Sequence, residues 1–279
     1  MEPFRERIKI TNIAMSVMNQ LIVDGVPLFS NYYIEKKISN VCDRNECCFD
    51  VLTQSKILEL LTEENIIAKD YHYSRMWKLQ KYRTLSAQEK VCLADPLASI
   101  SHLSALYEYK FTEVKSDFLH LTISVANSQK EKLNTLNAMP LYSTTSHPNT
   151  IGETKLFIHR SSKIDDKTKR QFINISNIPR TFFDTLDKPQ FCGGISHVLK
   201  IWDNHAIHHI EDIIDKIENY GTKIIKVRAG YIIEERLNIK NPIVENWKIF
   251  AQRGGSRRLD PSKKYKSTFS EKWMLSINI

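Results

Sequence analysis

The sequence predicts an α+β fold in which three helices and a hairpin precede a larger mixed α/β region. The first observation is an apolar spacing of three and four residues that recurs through the first 63 positions, as in amphipathic helices. The second is strict alternation of apolar and polar residues over 118–125, typical of a half-buried strand. The third is the mixture of strand and helix patterns beyond residue 150.

Length and composition bound the organisation of the chain. Its 279 residues, 42% of them hydrophobic, suffice for two cores, and we predict domains at 1–83 and 84–279. No run approaches the roughly 20 apolar residues of a membrane span, and residues 1–9 lack the apolar segment of a signal peptide. We therefore expect a cytoplasmic protein without a membrane partner. The irregular cysteines, which we interpret as reduced thiols, are Cys42, Cys47, Cys48, Cys92 and Cys192.

The net charge of +8 is unevenly distributed. Residues 1–83 hold 12 basic and 11 acidic side chains, whereas residues 149–279 hold 23 and 15. Such a surplus suits a polyanionic partner, although on a chain of this length it also serves solubility alone. The tail is the densest basic stretch, and a solvated loop, phosphate contact and docking on an acidic protein all stay open for it. Its cations are Arg253, Arg257, Arg258, Lys263, Lys264 and Lys266.

Three helices are predicted in the first 63 residues. One covers about 8–24 and ends at Gly25. Ser30 is a good N-cap for a second helix over about 31–41. The third covers about 51–63, and its inward positions are predicted to be Leu52, Ile57, Leu58 and Leu61.

Two short strands, near 66–71 and 76–81, follow these helices. Three helices and then a hairpin within about 75 residues is the order of a winged helix-turn-helix, whose third helix enters the major groove of DNA. The same module also serves protein–protein contact, and its net charge here is only +1. The predicted DNA contacts are Thr53, Gln54, Ser55, Lys56, Lys69, Arg75, Lys78 and Lys81.

The second region mixes both element types. Ser86 is predicted to cap a short helix, and Asp95-Pro96 to open another that continues to about Tyr109. Further strands are expected near 118–125, 155–160, 171–176, 256–260 and 272–277. Further helices are expected near 180–186, 193–204, 208–219 and 222–235.

Four stretches of this region are similar, in order and spacing, to motifs of the AbiEi family of bacterial abortive-infection antitoxins. They read ISHLSALY at 100–107, NIPRTFFD at 177–184, PQFCGGI at 189–195 and KVRAGYIIE at 226–234. The tail, with RLDP at 258–261 and KWMLSIN at 272–278, resembles the end of family members. Two departures are Lys110-Phe111, where the family has His-Gly-Leu, and Pro179, where it has an acidic residue.

The resemblance implies an antitoxin of a phage-defence system. Family members repress their own promoter through a winged helix, and their C-terminal domain counteracts a nucleotidyltransferase-like toxin. It therefore implies operator DNA and a cognate toxin as partners, with direct contact to the toxin open. Our candidates for the toxin-neutralising face are Arg160, Arg180, Asp184 and Arg228.

Residues for catalysis or metal binding are sparse. Gly255-Ser256 is not followed by the paired carboxylates that a nucleotidyltransferase needs, and P-loop, Gly-x-Ser-x-Gly and GxGxxG motifs are missing. His205, His208, His209 and Glu211 are better explained as a surface cluster than as metal ligands. We therefore expect no enzyme, cofactor or metal. The alternatives are a nucleic-acid-acting enzyme with a winged-helix delivery module and a ligand-responsive transcription factor.

Two local features need a structural interpretation beside any functional one. Arg180 and Asp184 are spaced i, i+4. The structural interpretation is a helix-stabilising pair, and the functional interpretation is that Arg160 and Arg180 face the toxin. Gly193-Gly194 is predicted to bend the chain before a helix, and Gly230 to permit close helix packing.

Overall fold

The chain folds as a mixed α/β protein, as predicted. The computed structural model describes residues 2–45, 47, 49–82, 84–124, 147–161, 166–251 and 257–279. Within those ranges, no helix has both the length and the apolar content that crossing a bilayer requires.

The N-terminal part contains three helices and a small antiparallel sheet. In chain order its elements are α1 (Glu2–Asp24), β1 (Leu28–Ser30), α2 (Asn31–Arg44), α3 (Val51–Glu63), β2 (Ile67–Lys69) and β3 (Met76–Leu79). The strand order is β1-β3-β2, with Phe29 opposite Trp77 and Ala68 opposite Lys78. Three helices and a hairpin occur as predicted, but α1 begins six residues before its predicted start and α2 ends three residues after its predicted end. Strand β1 was not predicted, because three residues are too few to show a period.

Helix boundaries in this part follow local chemistry. Gly25 ends α1 in the left-handed region at φ +65°. The side chain of Ser30 accepts a hydrogen bond from Tyr33 N, and that of Asp50 accepts one from Thr53 N, so each caps a helix start. Ile57 and Leu61 of α3 are buried as expected. The prediction for Leu52 was wrong: its side chain is 63% exposed, because α1 and the sheet cover only the later turns of α3.

A six-stranded mixed sheet forms the centre of the second region. Its elements are α4 (Ala87–Ala94), β4 (Ala98–Ile100), α5 (His102–Glu108), β5 (Phe118–Ser124), β6 (Thr150–Ile151), β7 (Thr154–Ser161), β8 (Lys167–Arg170) and β9 (Ile173–Ser176). The strand order is β6-β7-β5-β4-β9-β8. Strands β5 and β7 are parallel, with Leu121 opposite Ile158, and β4 joins β5 to β9.

The helix predicted from Asp95 to Tyr109 was wrong at its start. Ser86 does cap α4, through a capping box with Glu89. After α4, however, the chain enters β4, whose Ala98 and Ile100 are fully buried between β5 and β9. Only then does α5 begin. Tertiary burial of a three-residue strand therefore overrides the helical start suggested by Asp95-Pro96.

Helices dominate the C-terminal part. They are α6 (Ile178–Asp187), α7 (Ile195–His205), α8 (Ile210–Tyr220), α9 (Lys223–Gly230) and α10 (Pro242–Asn246). Helix α9 continues as a π-helical turn over Tyr231–Arg236. Of the two predicted tail strands, the one at 256–260 is reduced to a single bridge between Arg258 and Ser276. The other corresponds to a short hairpin of β10 (Phe269–Ser270) and β11 (Leu275–Ser276).

Gly193 and Gly194 bend the chain as predicted, whereas Gly230 makes room for a side chain of the tail rather than for another helix. Gly193 and Gly194 both have positive φ, +85° and +83°, where the chain turns into α7. A Cβ added at Gly230 would overlap the indole ring of Trp273. This glycine therefore allows the tail to pack its tryptophan directly on α9.

The two predicted domains share a core at their junction. Leu28, Tyr73 and Met76 of the N-terminal sheet pack in the same cluster as Val91 and Ile100 of the second region. Buried polar contacts reinforce the junction, since Lys90 Nζ donates to Asp70 Oδ2 at 2.5 Å. The predicted boundary after residue 83 therefore lies beside a continuous core.

Candidate functional site

The first candidate surface, called here the helix–hairpin surface, consists of the start of α3 and the β2–β3 hairpin. Thr53, Gln54 and Lys56 are half-buried, and Ser55 is exposed. Ahead of them, Val51 and Leu52 are 81% and 63% exposed. The first turn of α3 thus presents hydroxyl, amide and apolar groups together, which is the mixture that reads base edges and thymine methyl groups in a major groove.

The predicted cations of the hairpin have different environments. Arg75 and Lys81 are exposed, and Lys78 is half-buried. Lys69 is also exposed, but its Nζ donates to Asn31 Oδ1 at 2.7 Å and lies 3.9 Å from the Trp77 ring centroid. Burial lowers its pKa. Lys69 therefore fastens the start of α2 to the hairpin.

Two exposed tyrosines on this surface were not predicted. Tyr71, in the hairpin loop, is 93% exposed, and Tyr32, in the first turn of α2, is 58% exposed. The backbone N–H of Asn31 donates to Arg75 O at 3.0 Å, which joins the two segments. The sequence alone does not show which of Tyr71 and Tyr73 is exposed. Only packing shows that Tyr73 is buried in the shared core while Tyr71 faces solvent.

The second candidate, called here the histidine–arginine cleft, lies between β5, β7 and α6 and has a volume of about 150 Å³. Three predicted residues meet there from two elements: Arg160 from β7, and Arg180 and Asp184 from α6. The lining residues are His102, Thr122, His159, Arg160, Ser161, Arg180, Phe183, Asp184, Asp187 and Lys188.

Arg180 and Asp184 form a buried ion pair. Arg180 Nε donates to Asp184 Oδ1 at 2.8 Å, and the two residues are 8% and 2% exposed. The second carboxylate oxygen, Oδ2, has no hydrogen-bond partner among the described residues. Burial raises the pKa of Asp184 to about 6 despite the opposing charge of Arg180. The i, i+4 pair is therefore confirmed, but as a buried pair its energetics differ from those of a surface one.

The buried rings of His102 and His159 form the back wall of this cleft, and His120, also buried, contacts both rings. The rings of His102 and His159 stack at 3.9 Å, and His159 Nε2 lies 3.1 Å from His120 Nδ1. Burial lowers the pKa of all three, that of His159 to about 3. The neighbouring histidines and the charge of Lys188 lower the pKa of His102 and His159 further. The imidazoles are therefore neutral at physiological pH.

The histidine cluster does not have the arrangement of a metal centre. Among the residues that the structure describes, no group of three or more His, Cys, Asp or Glu side chains is placed to hold a metal ion. The nitrogens bond instead to neighbours: His102 Nδ1 lies 2.9 Å from Ser101 Oγ, and His120 Nε2 lies 3.1 Å from Ser116 Oγ.

The sequence did not predict this buried polar wall. Strand β5 was expected to be half-buried, with His120, Thr122 and Ser124 facing solvent. All three are buried, because α5, α6 and the turn at Pro189–Cys192 cover that face. The sequence of a polar strand face does not show whether other elements will pack on it. In the structure His102 has φ +52° at the start of α5, a backbone conformation that is uncommon for residues other than glycine.

Arg228, the fourth predicted residue, lies away from the cleft. It is 7% exposed, and its guanidinium donates to Leu186 O at 3.0 Å and to Arg258 O at 3.1 Å. It therefore ties the end of α6 to the tail. Arg228 itself lies on α9, and its contact with the end of α6 is that of a structural residue.

Some of the other residues singled out from the sequence have described positions, and others lie outside the described ranges. His205 stacks on Phe111 at 4.7 Å, and Cys42, Cys47, Cys92 and Cys192 are not in disulfides. In the tail, Lys263 and Lys264 are exposed, and Asn278 Nδ2 donates to their carbonyl oxygens. Cys48, Arg253 and Gly255-Ser256 lie outside the described residues.

Comparison with known proteins adds fold information alone. Neither a protein-family model nor a curated protein matches the chain. In structure it is similar to the RV2827C protein from Mycobacterium tuberculosis, with a TM-score of 0.55 and 9% sequence identity. The match covers 95% of this chain and 90% of that one. The mixed α/β architecture thus extends over almost the whole of both chains.

Proposed function

We propose that this protein is a DNA-binding repressor and antitoxin of the AbiEi kind. The observation that carries the DNA-binding part is the N-terminal topology. Its element order α1-β1-α2-α3-β2-β3 and strand order β1-β3-β2 are compatible with a winged helix, and in this proposal α3 occupies the major groove and the hairpin follows the backbone.

The side chains of the helix–hairpin surface support this role. Gln54 and Ser55, with the apolar Val51 and Leu52, supply base-reading groups at the first turn of α3. Arg75 and Lys81 supply exposed cations for phosphates. Lys69 has a positioning role in this proposal, because Asn31 and the Trp77 ring already hold it.

The antitoxin part rests on the motif resemblance and on where its residues lie. The stretches containing His102 and Arg180 line one cleft, and Arg160 stands exposed at its mouth. We propose that this mouth faces a nucleotidyltransferase-like toxin, and that the chain itself is not catalytic. In this proposal Arg228 maintains the shape of α6 rather than touching the toxin.

The DNA-binding part is tested with the full chain and its own upstream DNA. Fluorescence anisotropy at two salt concentrations compares the wild type with Arg75→Ala/Lys81→Ala. The expected result is weaker binding and a salt slope lower by roughly two, because two phosphate contacts are lost. The matched control, Lys200→Ala/Lys240→Ala, removes two exposed cations on the C-terminal part and should bind as the wild type does. Equal loss in both variants, or no preference for the upstream DNA over random DNA, would contradict the proposal.

The antitoxin part is tested by co-expression with the neighbouring toxin and counting viable cells. Arg160→Ala should reduce rescue, because it alters the cleft mouth without disturbing a core. The control variant Arg75→Ala should retain rescue when both genes are placed under a foreign promoter. Full rescue by Arg160→Ala, or failure of the wild type under that promoter, would contradict the assignment.

A further inference from the structure

The histidine–arginine cleft contains a buried guanidinium with uncommitted donors. Arg180 is 8% exposed, its Nε is bonded to Asp184, and its guanidinium carbon lies 5.3 Å from the Phe183 ring centroid. Its two terminal nitrogens have no hydrogen-bond partner within the described residues. These nitrogens are not among the fully buried, unpartnered side-chain atoms of the described residues, so they reach the open part of the cleft. The fork of Arg180 is therefore available to a group from outside the chain.

Two more cations stand beside it. Arg160 is exposed on β7, and Lys188 is half-buried directly after α6. Neither forms an ion pair within the described part of the chain. Their anionic neighbours are Asp184, already bonded to Arg180 Nε, and Asp187, which is exposed and acts on Arg228. The cleft therefore has three cationic side chains from two elements against two carboxylates, and one carboxylate oxygen, Asp184 Oδ2, also has no partner among the described residues.

The back wall strengthens the field of these cations. His102 and His159 are buried and stacked on one another, and they carry no charge at neutral pH. Because these rings are neutral, they do not screen the attraction between the cations and an incoming anion as water would. An ion pair formed against such a wall is stronger than one formed in open solvent.

We infer that this cleft binds a single oxyanion, a phosphate or a carboxylate, between the terminal nitrogens of Arg180 and the side chains of Arg160 and Lys188. The planar fork of arginine matches both groups with two parallel hydrogen bonds. The volume of about 150 Å³ is well below the ~300 Å³ at which pockets for drug-sized ligands begin. One charged group therefore enters, while the rest of its molecule stays outside. The inference goes beyond the proposed function, because it requires neither operator nor toxin.

The direct test is a titration of the full chain with inorganic phosphate at constant ionic strength and pH 7.5. Binding is followed through the imidazole proton resonances of His102 and His159, which line the cleft. The expected result is a saturable shift of these resonances. Arg160→Met/Lys188→Met should weaken phosphate binding about tenfold or more. Lys200→Met/Lys240→Met, which removes the same charge from exposed positions elsewhere, should leave it unchanged.

A second variant tests Arg180 without removing the charge beside Asp184. Arg180→Lys keeps a cation for the buried carboxylate but loses the fork, so the fold should persist while phosphate binding weakens about tenfold. Thermal unfolding of the same sample verifies the fold.

Parallel titrations with methyl phosphate and acetate distinguish the two sources of the oxyanion. Tighter binding of methyl phosphate indicates a phosphoester, as in a nucleotide, and tighter binding of acetate indicates an acidic side chain of a protein. A shift that does not saturate would overturn the inference. So would equal affinity for phosphate in the cleft variant and its control.

Discussion

The N-terminal part and the C-terminal cleft differ in whether their polar side chains are exposed or buried. The core of the N-terminal helices is built from apolar side chains, and before residue 84 the buried polar residues described are Ser30 and Asp70 alone. The C-terminal region buries Arg180, Asp184, Arg228 and three stacked histidines. The first part thus presents its candidate groups to solvent, whereas the second holds many of its own in a buried interior. Substitutions should therefore affect binding in the first and folding in the second.

The largest expected effect is that of Arg180→Met. The substitution leaves Asp184 buried without its cation, which costs about 3–5 kcal/mol of unfolding free energy. The cost should be smaller at pH 5 than at pH 8, because the raised pKa of about 6 lets Asp184 become neutral. Urea denaturation at both pH values measures it.

The N-terminal comparison for this effect is Lys37→Met, which removes the partner of Asp24 from a part-exposed pair at 2.7 Å. That change should cost about 1 kcal/mol or less. The double variant Arg180→Met/Asp184→Leu should recover most of the loss. Equal costs for Arg180→Met and Lys37→Met at pH 8 would abolish the proposed contrast.

The next effect concerns the shared core that joins the two parts. Met76 is fully buried in it, so Met76→Ala should cost about 2–5 kcal/mol. Met15, a methionine of α1 that is 54% exposed, is the matched control and should change stability by less than about 0.5 kcal/mol. Because the core is continuous, the wild type should unfold in one transition when followed by both near- and far-ultraviolet circular dichroism. Two separate transitions would show that the parts are independent.

Acid should destabilise the C-terminal cleft selectively. Burial keeps the pKa of His102, His120 and His159 below that of the unfolded chain. Below pH 6.5 the unfolded chain therefore binds protons that the folded chain does not, so stability falls as pH falls. Each group removes up to about 1.4 kcal/mol per pH unit until its folded pKa is reached. Asp184 acts in the opposite direction, because its raised pKa favours the folded state as pH falls towards 4.

The pH effect is measured by urea unfolding at pH 7.5, 6.5 and 5.5. His159→Phe should flatten the decline, since Phe157 and Phe191 already surround that ring. His208→Gln, at an exposed position, is the control. A wild-type stability that does not decrease between pH 6.5 and 5.5 would contradict the assignment of neutral, buried imidazoles.

The smallest effect on stability is expected at the start of α3. Leu52→Ser should change the free energy of unfolding by less than about 0.5 kcal/mol, because the side chain is 63% exposed. It should nevertheless weaken operator binding by about 1 kcal/mol, through loss of an apolar contact in the groove. Leu61→Ala, on the buried face of the same helix, should instead cost about 2–5 kcal/mol of stability. Strong destabilisation by Leu52→Ser would show that this turn is part of the core.

Much of the local structure was determined by the sequence itself. The caps at Ser30, Asp50 and Ser86 and the turn at Gly25 act through neighbours a few residues away, so these particular helix boundaries were predictable. The bounds of α3, Val51–Glu63, match the prediction. The Arg180–Asp184 pair follows from helical spacing alone.

Only the tertiary structure decided what covers each polar face. Strands β1 and β4 form because distant strands pair with them, and three residues carry no periodicity by which to recognise them. His120 and Thr122 alternate with apolar residues as a solvent-facing set would, yet helices from elsewhere in the chain bury them. Periodicity reports which face of an element is apolar. Whether the opposite face meets water depends on contacts between residues far apart in sequence, and it is those contacts that create the cleft.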